Sequence, residues 1–177
     1  MSDETPTRLE KSHRFLDEVG DTTFFGKGRV PILGQDGVSL CFGLGMVKFA
    51  APVSEVRVHV EQLCRSVEVD DYLNRVPSVA KRIQSGGFYF HAKDDPSEVV
   101  FNVQNPRTEP LLCVPDYLGW TVQRVFERGD TRFYDFVRDR ISLVVDLYDA
   151  ENYEGSRNYY NPRRPLTAEN KIGPPVS

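Results

Sequence analysis

Near residue 50 the apolar pattern of the chain changes period, and the change commits the fold to layers of both strand and helix. Before it, "SLCFGLGMVKF" is a mostly apolar run in which Gly43 and Gly45 fall two positions apart, on one face of an extended strand. A strand face lacking side chains is where another element can come close. After it, "APVSEVRVHVEQLCRSVEVDDYLNRVPSVAKRIQ" repeats Val56, Val60, Leu63 and Val67 at intervals of three and four with charges between them, the period of a helix. Pro77 bends or breaks the helical pattern at its position.

The other elements show the same two periods. "RFLDE" reads as a strand, "TTFFGKG" as a second short one, and "PILGQDGV" as turn chemistry. "GGFYFHA" is a later strand opened by a glycine pair. In "DDPSEVVFNV", Asp95 as cap, Pro96 first inside and Glu98 further on predict a helix start. From Pro115 an amphipathic helix carries the stripe Leu118, Val122, Val125, flanked by Trp120 and Phe126. Gly129 ends it, and Asp130 caps a successor bearing Phe133, Phe136 and Val137. "ISLVVDLY" fits a last strand or the buried end of that helix. The stretch "NYYNPRRPLTAENKIGPPVS" is rich in Pro and Asn and is expected to lie extended over the surface. The expected fold class is α/β (α+β). Residues 1–12 read as a flexible N-terminal segment, 13–152 as a single domain and 153–177 as an extended C-terminal tail.

Composition narrows the function classes. A chain of 177 residues, 40% hydrophobic and 27% charged, can bury a core without staples. No apolar run reaches the roughly 20 residues of a membrane helix, so no membrane partner is expected. The polar opening "MSDETPTRLEKS" lacks the apolar centre of a signal peptide, which makes the cytoplasm the expected location. Cys41, Cys64 and Cys113 are odd in number and far apart, as reduced thiols are. A net charge of −4 argues against non-specific coating of nucleic acid, which depends on many phosphate contacts. It leaves room for a nuclease, whose carboxylates are negative until metal binds.

Candidate chemistry centres on "HRFLDEVGD". In a strand, Phe15, Asp17 and Val19 share one face, and Leu16 and Glu18 the other. Asp17 on an apolar face needs a cation to meet it, or else the strand frays here into a solvated turn. Mg2+ or Mn2+ takes oxygen ligands, commonly one or two carboxylates with water and substrate phosphate. Asp116, at a helix start, offsets the helix dipole whether or not it also binds metal. "FHAKDD" offers His91 and Asp94, with Asp95 accounted for as a cap. The chain contains no phosphate-binding P-loop, Rossmann fingerprint or HExxH, and no GxSxG elbow. Arg124, Arg128 and Arg132 recur every four residues and would form a basic stripe on one continuous helix, suited to phosphates or to solvent.

"FLDEVGD", "FYFHAKDDPSEV", "LLCVPDYLGWTVQRVFERGDTRFYDFVRDRI" and the closing "NYYNPRRPLTAENKI" resemble, in order, motifs of the domain-of-unknown-function 3800 family, in its shorter branch. That resemblance implies a ribonuclease-H-like mixed sheet flanked by helices, in a compact version. It also implies a metal-dependent nuclease site where the first strand meets the late helix. Asp17 is then the first-strand acid, Asp21 closes the same motif and Asp116 is the helix acid. His91 and Asp94 fall in the middle motif, and Glu18 is a secondary candidate. Val19 stands where the family usually has serine and Val100 where arginine is common. Only a short loop precedes "LLCVPDY", where many members carry a longer region.

The leading expectation is a phosphodiesterase acting on nucleic acid, with Asp17 and Asp116 holding Mg2+ or Mn2+ and Asp21 as third ligand or outer-shell base. His91 would shuttle a proton. The alternative is a catalytically inactive ribonuclease-H-like interaction or regulatory module, as of a mobile element or phage. Tyr159, Tyr160 and Arg163 then suit a protein contact or a homodimer. A third reading, nucleotide binding by the "FGLG" strand, rests on a glycine pair alone.

Overall fold

The computed structural model describes residues 12–33, 35, 37–68, 103–147, 149 and 154–173. The expected strand with His91, the helix start with Asp94 and Asp95, and Pro77 lie outside the described residues. The fold is mixed, helices with small antiparallel sheets, and the chain divides into two compact units: Met1–Phe15 with Val47–Leu112, and Leu16–Met46 with Cys113–Ser177.

In the first unit, the buried Phe15 ring meets Phe49 edge-on at 5.4 Å between centroids. Helix α1 (Val53–Glu68) half-buries Val53, Val56, Val60 and Cys64, a line at intervals of three and four. Leu63, expected on that line, falls at its edge and is 63% exposed. A 3₁₀ turn at Pro110–Leu112 packs on α1 and buries Leu111 fully. Beside it Arg57 grips the Glu109 carboxylate with two donors, Nη2 to Oε2 at 2.5 Å and Nε to Oε1 at 3.3 Å. The turn before it is held by Asn105, whose Oδ1 accepts from the Arg107 and Thr108 amides.

In the second unit, strands β1 (Phe15–Gly20) and β2 (Phe42–Val47) pair. Gly20 lies beside Cys41, Val19 beside Gly43 and Asp17 beside Gly45, so the two run antiparallel. "TTFFGKG" forms no strand beyond a single bridge, Phe25 to Pro31. Gly28 and Arg29 both take positive φ, which folds the segment into a tight loop instead.

Helix α2 (Cys113–Arg128) begins two residues before Pro115, which sits in its first turn, where a missing amide costs nothing. Gly129, at φ +66°, ends it, its amide donating to the Val125 carbonyl at 2.8 Å. Helix α3 (Arg132–Val137) comes next. Val125, Tyr134, Tyr160 and Leu166 form the buried core, with Val122, Phe126, Ile141 and Val144 packed around them. On α3 it is Tyr134 that turns inward, while Phe136 is 88% exposed.

The "ISLVVDLY" segment contributes strand β3 (Val144–Val145), antiparallel to β4 (Tyr159–Tyr160) with Val144 opposite Tyr160. The segment read as a surface tail therefore supplies a strand and two core residues. Its coil is tied down by specific bonds: the Leu166 amide donates to the Tyr134 hydroxyl at 3.2 Å and Asn170 Nδ2 to the Tyr160 hydroxyl at 2.9 Å. The Ile172 amide donates to the Phe126 carbonyl at 2.7 Å. Among the described residues no helix is long and apolar enough to cross a membrane.

Candidate functional site

Strand β1 keeps the alternation its sequence predicts. Asp17 and Val19 are half-buried, while Leu16 and Glu18 face solvent. The strand stops at Gly20, whose φ of +89° is left-handed; a Cβ there would stand 2.1 Å from the Cys41 carbonyl oxygen.

The glycines of β2 set how closely the helix approaches. A Cβ at Gly45 would lie 3.2 Å from the Pro115 carbonyl oxygen and 3.7 Å from that of Asp17. A Cβ at Gly119, on α2, would lie 3.1 Å from Val19 Cγ1. With no side chains at these positions, the first two turns of α2 settle against β1 and β2 within van der Waals range. Asp116 comes directly after Pro115, so the same contact brings it toward Asp17 although the two are far apart in sequence.

The electrostatics register the approach. The Asp17 carboxyl is pushed up from 3.8 to about 6, first by burial and next by the negative charge of Asp116. The Glu18 amide, donating to Asp17 Oδ1 at 3.0 Å, works in the opposite direction, and the Glu18 charge adds a smaller push upward.

The remaining expected residues are placed differently. Asp21 lies past the Gly20 bend, half-buried, with Oδ1 accepting from the Thr23 amide at 2.7 Å in an Asx-type turn. Glu18 points to solvent on the face opposite Asp17. Among the described residues no group of three or more His, Cys, Asp or Glu side chains is placed to hold a metal ion. What these residues bring together is therefore the pair Asp17 and Asp116. His91 and Asp94 are outside the described residues.

The arginines form no continuous stripe, because α2 ends at Arg128 and Arg132 opens α3. Arg124 and Arg132 instead converge on Asp130. Arg124 Nε donates to Oδ2 at 3.0 Å, and Arg132 reaches Oδ1 at 2.9 Å and Oδ2 at 3.0 Å. These bonds, Arg132's first, hold the Asp130 carboxyl far below the usual carboxylate range. Asp130 thus serves as an ionic clamp, and the residue at the α3 cap position is Thr131, without a side-chain cap bond. Arg128 is exposed on the last turn of α2.

Two features were not anticipated from sequence. Glu127 Oε1 accepts from the Leu40 amide at 2.9 Å and from Gln123 Nε2 at 3.0 Å, and Gln123 also donates to Ser39 Oγ at 2.9 Å. This ties the entry of β2 to α2, and the burial it creates, with the Glu127 charge next, pushes the Cys41 thiol up to about 12. The Gln123–Glu127 spacing of four on a helix was the available signal. The second feature is a row of rings, Tyr117, Trp120 and Phe133, running from α2 to α3.

Compared with models of protein families, with curated proteins and with solved structures, the chain finds no match in any of the three.

Proposed function

We propose that the chain is a metal-dependent phosphodiesterase acting on nucleic acid, built on a ribonuclease-H-like architecture. The observation that carries the reading is the seating of the acid-bearing first turn of α2 on the glycine positions of β2, beside the acid of β1. The resemblance of "FLDEVGD" and "LLCVPDYLGWTVQRVFERG" to domain-of-unknown-function 3800 motifs supports the same pairing of strand acid and helix acid.

The donor set fits a hard divalent cation. Mg2+ and Mn2+ sites use one or two carboxylates and complete their shell with water and substrate phosphate. Burial and the Asp116 charge disfavour the ionised form of Asp17, and a dication between the two acids would remove that penalty. Asp17 and Asp116 would hold the ion. Bound there, it supplies Lewis-acid polarisation of a phosphate oxygen and lowers the pKa of a coordinated water. Asp17 fixes its side of the site from a strand with its Oδ1 oriented by the Glu18 amide, and Asp116 from a helix turn. Asp21 holds the turn that closes β1, a positioning role.

The test is cleavage of end-labelled single-stranded RNA and DNA with Mn2+, comparing wild type with Asp17→Asn and Asp116→Asn. Cleavage by wild type that falls about a hundredfold or more in each variant supports the mechanism, since even the outer-shell partners of metal ligands are worth about 10–100-fold. Cleavage unchanged by Asp17→Asn removes it. The alternative, a non-catalytic interaction module, draws on one observation. Leu16, Leu44 and Met46 on the outer side of the β1–β2 pair are 49%, 64% and 65% exposed. No cleavage together with concentration-dependent self-association in sedimentation would favour it.

A further inference from the structure

Three rings of α2 and α3 touch in a row, the first two stacked and the last tilted by 59°. Tyr117 stacks on Trp120 with centroids 5.8 Å apart and planes at 30°, and Trp120 meets Phe133 at 4.8 Å. The Trp120–Phe133 contact joins the two helices and is accounted for by packing. Tyr117 extends the row outward from that contact, and it is 45% exposed.

The row begins beside Asp116. Trp120 lies four residues after Asp116 on α2, so the two share a helix face, and Tyr117 is the neighbour of Asp116 in sequence. Anything lying along the rings would be led toward Asp116.

At its α3 end the row is positively framed. Arg124 stands over both Trp120 and Phe133 at 5.1 Å from each ring centre, and Arg132 over Phe133 at 5.6 Å. Both guanidiniums share the single carboxylate of Asp130, so the cluster retains one positive charge beside the rings. The Arg132 side chain is 79% exposed and can meet an anion from solvent. The exposed Tyr117 ring, backed by the half-buried Trp120 and Phe133 and combined with a surplus cation, matches the chemistry of unpaired nucleotides, which offer a π face and a phosphate at each step. A duplex keeps its bases stacked on one another and offers only its phosphates.

We propose that Tyr117, Trp120 and Phe133, framed by Arg124 and Arg132, form a base-stacking platform that delivers single-stranded nucleic acid to the Asp17–Asp116 pair. The substrate class rests on the phosphodiesterase reading, while the stacking itself needs no metal and no hydrolysis. Tyr117 is the outer, base-contacting ring and Trp120 the second.

Trp120 is the single tryptophan of the chain, so its fluorescence reads the platform directly. The experiment titrates full-length Asp17→Asn protein, in EDTA so that nothing is cleaved, with oligothymidylate of about 15 nucleotides. Saturable quenching is expected. An abasic strand of equal length and charge, the corresponding duplex and polyglutamate should each bind about tenfold more weakly or less, since stacking supplies the difference. Adding Tyr117→Ala should weaken oligothymidylate by about tenfold, while Tyr117→Phe, which keeps the ring, should restore it. Absent quenching, equal binding of the abasic strand or polyglutamate, or a Tyr117→Ala protein that binds undiminished would each overturn the proposal. If stacking behaves as expected and wild type with Mn2+ leaves the same strand intact, the platform stands and the hydrolytic reading falls.

Discussion

Replacing Asp17 with Asn should stabilise the metal-free protein, and only above a definite pH. The Asp17 carboxyl is raised from 3.8 to about 6 in the fold by burial and by Asp116. The folded state therefore holds its proton more tightly than the unfolded chain does. Well below pH 3.8 both states are protonated and wild type keeps its full stability. Between pH 4 and about 6 the unfolded chain ionises first, and wild type loses stability as pH rises through that window. Above it the penalty is complete and constant. At about 1.36 kcal/mol per pH unit the ceiling is roughly 3 kcal/mol, and water reaching a half-buried carboxylate reduces it to about 1–2 kcal/mol. Asn keeps the oxygen that accepts the Glu18 amide and carries no charge, so it escapes the penalty. Urea unfolding of both proteins in EDTA at pH 4, 5, 6, 7 and 8 measures the difference. The expected curve is smallest at pH 4, about a fifth of its plateau, climbs through pH 5–6 and levels at about 1–2 kcal/mol in favour of Asn. A difference that does not vary with pH, or one favouring Asp at pH 8, would refute the placement of Asp17 beside a second acid in a partly dry site.

Gly45→Ala places a methyl 3.2 Å from the Pro115 carbonyl oxygen, so α2 has to shift. A cost of about 1–3 kcal/mol is expected, and the Asp17 titration read from the same pH series should move back toward 3.8 as Asp116 recedes and water enters. Cys41, its thiol raised to about 12, should react with iodoacetamide at pH 7.5 about a hundredfold more slowly in the folded protein than in urea. Equal rates in the two states, monitored by peptide mass spectrometry, would contradict the buried Glu127 contact.

Much of the site could be read from local rules, because the features that build it are local. The face shared by Asp17 and Val19 comes from the two-residue strand period, and the close approach at Gly45 from a missing side chain. Helix α2 shows itself through Val122 and Val125, which do face the core. The features that stayed hidden depend on partners distant in sequence. Helix α3 has six residues, too few for periodicity to choose a face, and the choice of Tyr134 over Phe136 goes with the Leu166 amide at the Tyr134 hydroxyl. Residues 158–172 look like surface coil because Pro and Asn interrupt every period, yet Tyr160 and Leu166 enter the core through bonds no local pattern encodes. The arginine spacing misled for a related reason. Gly129 breaks the helix, and Asp130, next in the chain, gathers Arg124 and Arg132 to itself.

The central claim, that Asp17 and Asp116 together hold a divalent cation, is tested most directly by titrating Mn2+ into the protein at pH 7.5 and tracking the free-ion signal by electron paramagnetic resonance. Wild type should take up Mn2+, with the uptake lost in both Asp17→Asn and Asp116→Asn. Uptake that survives either substitution, or a wild-type protein that leaves the free-ion signal untouched, would contradict it.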